Sequence, residues 1–158
     1  MNPIHKALTD GVDPLRLKVA AHEVGHGIVW RHAGFPIVRM VITTGVFGGI
    51  GEAYCQRGRL WLDAGNIDGF LVGLMAGAAA QSRCASRYLG HLFAGSAARG
   101  NAAHDVGEFR RLAKAHRSTL TIGAAQNRAV AILGGRSGRL DTLTAELART
   151  GRLSGGAL

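Results

Sequence analysis

Two histidines four positions apart, with a glutamate directly after the first, stand in the run HEVGH: His22, Glu23 and His26. On an α-helix, residues i and i+4 are separated by about 400° of rotation, so both imidazoles leave one face, about 6 Å apart, and reach a single ion. Glu23 is turned about 100° from His22, which sets its carboxylate beside the open position of that ion, where it can take a proton from bound water. Zinc (Zn2+) is the ion such a donor pair suits. Two ordinary helical histidines and a solvated glutamate would produce the same string, so a third ligand has to decide between these readings.

A catalytic zinc site takes three protein ligands and keeps one position open. After the motif the acids are Glu52, Asp63, Asp68, Asp105, Glu108, Asp141 and Glu146, and the histidines are His32, His91, His104 and His116. His32 lies six residues past His26, but a turn-making Gly would be needed where Val29 stands. Without that turn the helix carries His32 about 240° away from His26. It reads instead as a polar residue of the last turn, favoured by the negative end of the helix dipole. Asp105 sits in GNAAHDVGEF, where a Gly-rich loop enters a helix that Asn101 can cap. A carboxylate there serves equally as a ligand or as a helix-start acid stabilised by the dipole, and spacing does not choose between them.

The elements that must position these residues are legible from pattern. Asp13 as cap, Pro14 at the first helical position and Leu15, Val19, Val24, Ile28 and Val29 as apolar surface predict a helix that Gly34 and Pro36 terminate. Ile37 to Thr44 reads as a strand, the glycines at 45, 48, 49 and 51 as a turn, and Glu52 to Gln56 as a second extended piece. Such a pair could offer an edge to a peptide or be a plain hairpin. Ile67, Phe70, Leu71, Leu74, Met75, Ala78 and Ala79 recur at helical spacing and predict a helix from Asn66 to Tyr88, with Met75 filling core. A loop from Leu89 to Gly100 and helices over 101–115, 120–133 and 140–149 follow. The expected fold is mainly α with a small β-sheet (α+β), one domain over 1–158, with 1–13 as a flexible N-terminal segment. Trp30 and Trp61 are expected at the core margin.

Four segments in order resemble the peptidase domain of the FtsH-like, ATP-dependent zinc metalloproteases. AAHEVGHGIV is similar to that family's zinc-binding helix, and VRMVITTGVFGGIGEAY to its strand, Gly-rich turn and second extended segment. LVGLMAGAAAQ resembles its Gly-Arg-x-Ala-Glu helix, and GNAAHDVGEF its Gly-Ala-x-Asn-Asp pattern. The tail from Ala129 onward resembles its closing helices. The resemblance implies a zincin-like fold, zinc held by His22, His26 and Asp105, Glu23 as general base, and hydrolysis of peptide bonds in a polypeptide substrate. Ala78 and Gln81 stand where the family has Arg and Glu, which alters the groups supporting the ligands. His104 replaces the family's usual Asn.

The chain contains no GxxxxGK[ST] loop; its only lysines, Lys6, Lys18 and Lys114, do not follow a glycine. Any unfolding motor is therefore expected from a separate ATPase partner, with a homo-oligomer or a non-catalytic, zinc-containing peptide-binding adaptor as further expectations. The most apolar stretch, Phe70 to Ala80, is far short of the roughly 20 residues that span a bilayer, so no membrane insertion is expected. The N-terminus lacks an apolar signal region. Cys55 and Cys84 lie 29 positions apart and read as reduced packing residues of a cytoplasmic protein. The net charge of +9 comes from dispersed residues, mostly arginine, with no nucleic-acid motif, so nucleic acid is not the expected partner.

Overall fold

Asp13 takes the Leu15 N–H on its carboxylate at 2.9 Å and Pro14 needs no N–H partner, so helix α2 starts there and runs Pro14–His32. Gly34, at φ +90°, turns the chain out of it. Every residue of α2 from Leu17 to Trp30 is buried, which makes it the central helix of the molecule and not one with a single apolar stripe. The computed structural model describes residues 1–90 and 98–158.

The main partner of α2 is α3, Ile67–Cys84. The two approach closely because Gly25 faces α3: a Cβ there would stand 2.6 Å from the Ala80 Cβ and 2.7 Å from the Ala76 carbonyl oxygen. The end of α3 widens into one π-helical turn, Ala85–Leu89. The remaining helices are α4 (Ala98–Ala115), α5 (Ile122–Gly134), capped by Thr121, and α6 (Ser137–Thr150), closed by Gly151 at φ +77°. Strands β1 (Ile37–Thr44), β2 (Ile50–Arg57) and β3 (Arg152–Ser154) form an antiparallel sheet in the order β2-β1-β3, so β2 lies at an edge. Met40 and Ile42 of β1 and Leu153 of β3 point into the core shared with α2 and α6. The protein is mainly helical with a small antiparallel sheet, and no helix among the described residues is long and apolar enough to cross a membrane.

Three expectations are corrected. The segment 1–13 is not a flexible lead-in: α1 spans Pro3–Thr9, capped by the Asn2 side chain, and buries Ile4 and Ala7. Helix α4 begins at Ala98, so Asn101 lies inside it and not at its start. Trp61 is 91% exposed, whereas Trp30 is fully in the core. The expected 89–100 loop falls largely outside the described residues. A buried polar knot ties several of these elements together: Asp141 of α6 takes Arg83 Nη1 at 2.6 Å, the Tyr88 hydroxyl at 2.5 Å and Asn2 Nδ2 at 3.1 Å.

Candidate metal centre

His22 and His26 project from α2 toward α3, with their rings edge to face at 4.5 Å. Space for them exists because α3 carries Gly77 there. A Cβ at that position would lie 2.5 Å from His26 Nε2 and 2.7 Å from His22 Cε1, which neither ring could tolerate in place. Each ring is anchored from behind. His26 Nδ1 lies 2.8 Å from the Gly73 carbonyl oxygen, an acceptor only, so Nδ1 carries the proton. His22 Nδ1 lies 3.1 Å from the amide oxygen of Gln81, which accepts a proton from it in the same way. Both Nε2 atoms therefore present lone pairs forward, 2.9 Å apart.

Asp105 arrives from α4 and completes the group: its Oδ2 is 3.1 Å from His22 Nε2 and 3.3 Å from His26 Nε2. Because α4 starts seven residues earlier, at Ala98, the helix-start explanation of this acid does not hold. Burial raises the Asp105 carboxyl, but hydrogen bonds and positive charge from His22 and His26 outweigh it and bring it to about 2; that lowering requires a proton or another positive charge between the rings and Oδ2. Oδ2 is buried and receives no hydrogen bond, despite its closeness to both rings. With the ring protons engaged on the far side, only a positive charge among the three atoms, a proton or a metal ion, satisfies them together. Three donors bound about 2.0–2.2 Å from one tetrahedral ion stand a little over 3 Å apart, which these separations fit. These three residues are the metal-competent cluster among the described residues, and His32 is outside it. His32 lies in the last turn of α2, with its Nδ1 accepting from Arg136 Nη2 at 3.0 Å.

Glu23 lines the same cavity, of about 270 Å³, together with both histidines, Asp105, Trp30, Leu74 and residues 53–55 of β2. Burial above all pushes its carboxyl up to about 7; the Asp105 charge adds to this, and His22 and the Cys55 N–H oppose it. A carboxyl held near neutrality can both accept and release a proton. Strand β2 lies at an edge of the sheet, and its residues Ala53, Tyr54 and Cys55 line the cavity beside Glu23. The Cys55 thiol is pushed up to about 12, first by burial and then by Glu23, and stays a neutral wall of the site. Cys55 and Cys84 form no disulfide.

Several residues of the site escaped the sequence reading. Trp30 stacks on His26 at 4.8 Å, and its Nε1 donates to the Phe70 carbonyl at 3.0 Å, so it holds a ring that helical spacing alone leaves free to swing. Helical phase could have found it, since Trp30 is four residues beyond His26. Gln81 was visible as a departure from the FtsH-like pattern, but its pairing with His22 depends on how α3 crosses α2. His104 lines the cavity wall, is exposed and makes no hydrogen bond with a described residue. No model of a known protein family matches the chain, and no curated protein does so.

Proposed function

We propose that the chain is a zinc metalloendopeptidase of zincin-like build, related to the FtsH-like peptidase domains that its four segments resemble. The observation that carries this reading is the convergence of three buried electron-pair donors, His22 Nε2, His26 Nε2 and Asp105 Oδ2, beside a carboxyl poised near neutrality. These three residues would hold the zinc, which when bound supplies Lewis acidity toward a water and a peptide carbonyl. Gly73 and Gln81 keep the ligand nitrogens unprotonated and aimed. Glu23 takes the proton from the attacking water on its carboxylate and delivers it to the departing amine. The free edge of β2 aligns an extended substrate by main-chain hydrogen bonds, and the apolar wall of Trp30 and Leu74 excludes water from the reacting bond. In the absence of a GxxxxGK[ST] loop, this chemistry acts on unfolded or peptide substrates, or on chains fed by an ATPase partner.

The test is cleavage of casein and of an unstructured peptide by the zinc-loaded protein. Activity is expected to disappear with chelator and return with zinc, and Glu23→Gln is expected to lower turnover about a thousandfold while zinc stays bound. Zinc-loaded protein without turnover would favour the adaptor reading. Unchanged turnover in the Glu23→Gln protein would remove the proposed mechanism.

A further inference from the structure

On the side of α2 opposite the candidate metal centre lies a second cavity, of about 300 Å³, lined by Ile28, Arg31, His32, Arg136, Arg139 and Leu158. The opposition follows from helical phase: Ile28, Arg31 and His32 project about half a turn away from His22, Glu23 and His26. Each basic side chain here is held. Arg31 Nη1 donates to the Gly155 carbonyl at 3.3 Å, Arg139 donates to the Ala157 carbonyl, and Arg136 Nη2 donates to His32 Nδ1 at 3.0 Å. Because His32 Nδ1 is an acceptor, the ring proton sits on Nε2 and is a further donor.

Three guanidiniums line one cavity and repel one another, and no aspartate or glutamate side chain among the described residues pairs with them. Arg31, Arg136 and Arg139 form no ion pair with a described residue. The acid nearest to them along α6, Asp141, is committed to Arg83, Tyr88 and Asn2. Arg136 and Arg139 also stand at the start of α6, the end where cations are disfavoured, with no acid in its first turn. The backbone carbonyls take one N–H from each of two arginines and neutralise no charge, so most of the five donors per guanidinium remain available.

We propose that this cavity is an anion site that takes a phosphate group. A carboxylate offers two oxygens and one charge, enough for a single guanidinium fork, whereas a phosphate dianion offers three terminal oxygens and nearly two charges to three arginines. The cavity is roomy enough for a small organic substituent beside the phosphate. The site is independent of the peptidase reading, since none of its residues lines the metal cavity.

Titration of the folded protein with inorganic phosphate at constant ionic strength, followed by amide resonances, tests this. Saturable shifts are expected at Ile28 to His32 and Arg136 to Arg139, and acetate at the same concentrations is expected to leave them unmoved. The double variant R136Q/R139Q is expected to weaken phosphate at least about tenfold, and R136K/R139K, which keeps charge but loses the planar fork, to recover part of that loss. Removal of two exposed arginines elsewhere, R59Q/R110Q, is expected to change affinity less than about twofold. Phenyl phosphate binding tighter than inorganic phosphate identifies a phosphomonoester as occupant, and equal affinity identifies the free ion. Non-saturable shifts in the wild type, equal shifts with acetate, or equal weakening in R59Q/R110Q and R136Q/R139Q would overturn the proposal.

Discussion

Two aspartates of this protein are buried to nearly the same degree and are treated in opposite ways. Asp141, 5% exposed, is met by a guanidinium, a phenol and an amide, each donating a proton to it. Asp105, 7% exposed, meets two imidazole nitrogens whose ring protons are engaged behind them, and its Oδ2 accepts no hydrogen bond. The first arrangement is what a carboxylate needs when its task is to join elements, here the N-terminal segment, the end of α3 and α6. The second is unfinished by protein atoms alone, and it is unfinished in the direction of a missing positive charge. Satisfaction of the buried charge, more than depth of burial, separates the fold-holding acid from the candidate metal-holding one.

That contrast breaks if the two acids respond alike to removal. Asp141→Ala strands Arg83 in a partly buried setting and is expected to destabilise the protein by about 3 kcal/mol in urea unfolding. Asp105→Ala is expected to change the stability of the metal-free protein by about 1 kcal/mol or less, because no donated hydrogen bond is lost. Equal losses would erase the distinction.

Acid and base titration sharpen the comparison through Glu23, the neighbour of Asp105. In the metal-free fold its carboxyl is raised from 4.5 to about 7, chiefly by burial, so between those values the folded chain binds the proton more tightly than the unfolded chain. Stability is then expected to fall as pH rises through that window, by something on the order of 3 kcal/mol, and Glu23→Gln is expected to flatten the slope. Asp141 has the opposite sign. Burial works to raise its pKa, but Arg83, Tyr88 and Asn2 together hold it below 3.8, so its contribution is present above that value and is lost as pH falls through the lower, folded one. Urea midpoints measured from pH 3 to 8 with chelator, for wild type, Glu23→Gln and Asp141→Ala, check both signs.

The smallest expected effect concerns the support behind His22. Gln81→Leu removes the acceptor of its Nδ1 proton and is expected to weaken zinc about tenfold. Gln81→Glu keeps an acceptor, adds a charge and removes the unpartnered buried Nε2, so zinc should bind at least as tightly as in the wild type. A chelator competition orders the three proteins, and equal affinities would show that the hydrogen bond does not aim the ring.

Much of the frame was legible before any coordinates, because it is written locally. Asp13 and Pro14 start α2 where capping chemistry says they should, β1 spans Ile37–Thr44 as its branched residues predict, and the i, i+4 histidines share a face. What stayed hidden depends on tertiary approach. Spacing alone left Asp105 either a ligand or a helix-start acid, since the start of α4 at Ala98 has no strong local signal. Helix α1 is only seven residues long and gains its order from Ile4 and Ala7 packing into the core, which composition does not reveal. Strand β3 is three residues and exists because β1 offers it an edge. The two tryptophans look alike in sequence, yet Trp30 holds a candidate ligand ring and Trp61 faces solvent, because only one of them lies on the helix that the rest of the protein surrounds.

The central claim is that Asp105, His22 and His26 are completed by one divalent ion. Zinc titration against a chelating indicator, with wild type, Asp105→Ala and Asp141→Ala side by side, tests it most directly. One zinc per chain is expected, with affinity weakened at least about a hundredfold in Asp105→Ala and within a few-fold of wild type in Asp141→Ala. Wild-type protein that takes up no stoichiometric zinc, or an Asp105→Ala protein that binds it as the wild type does, would contradict the account.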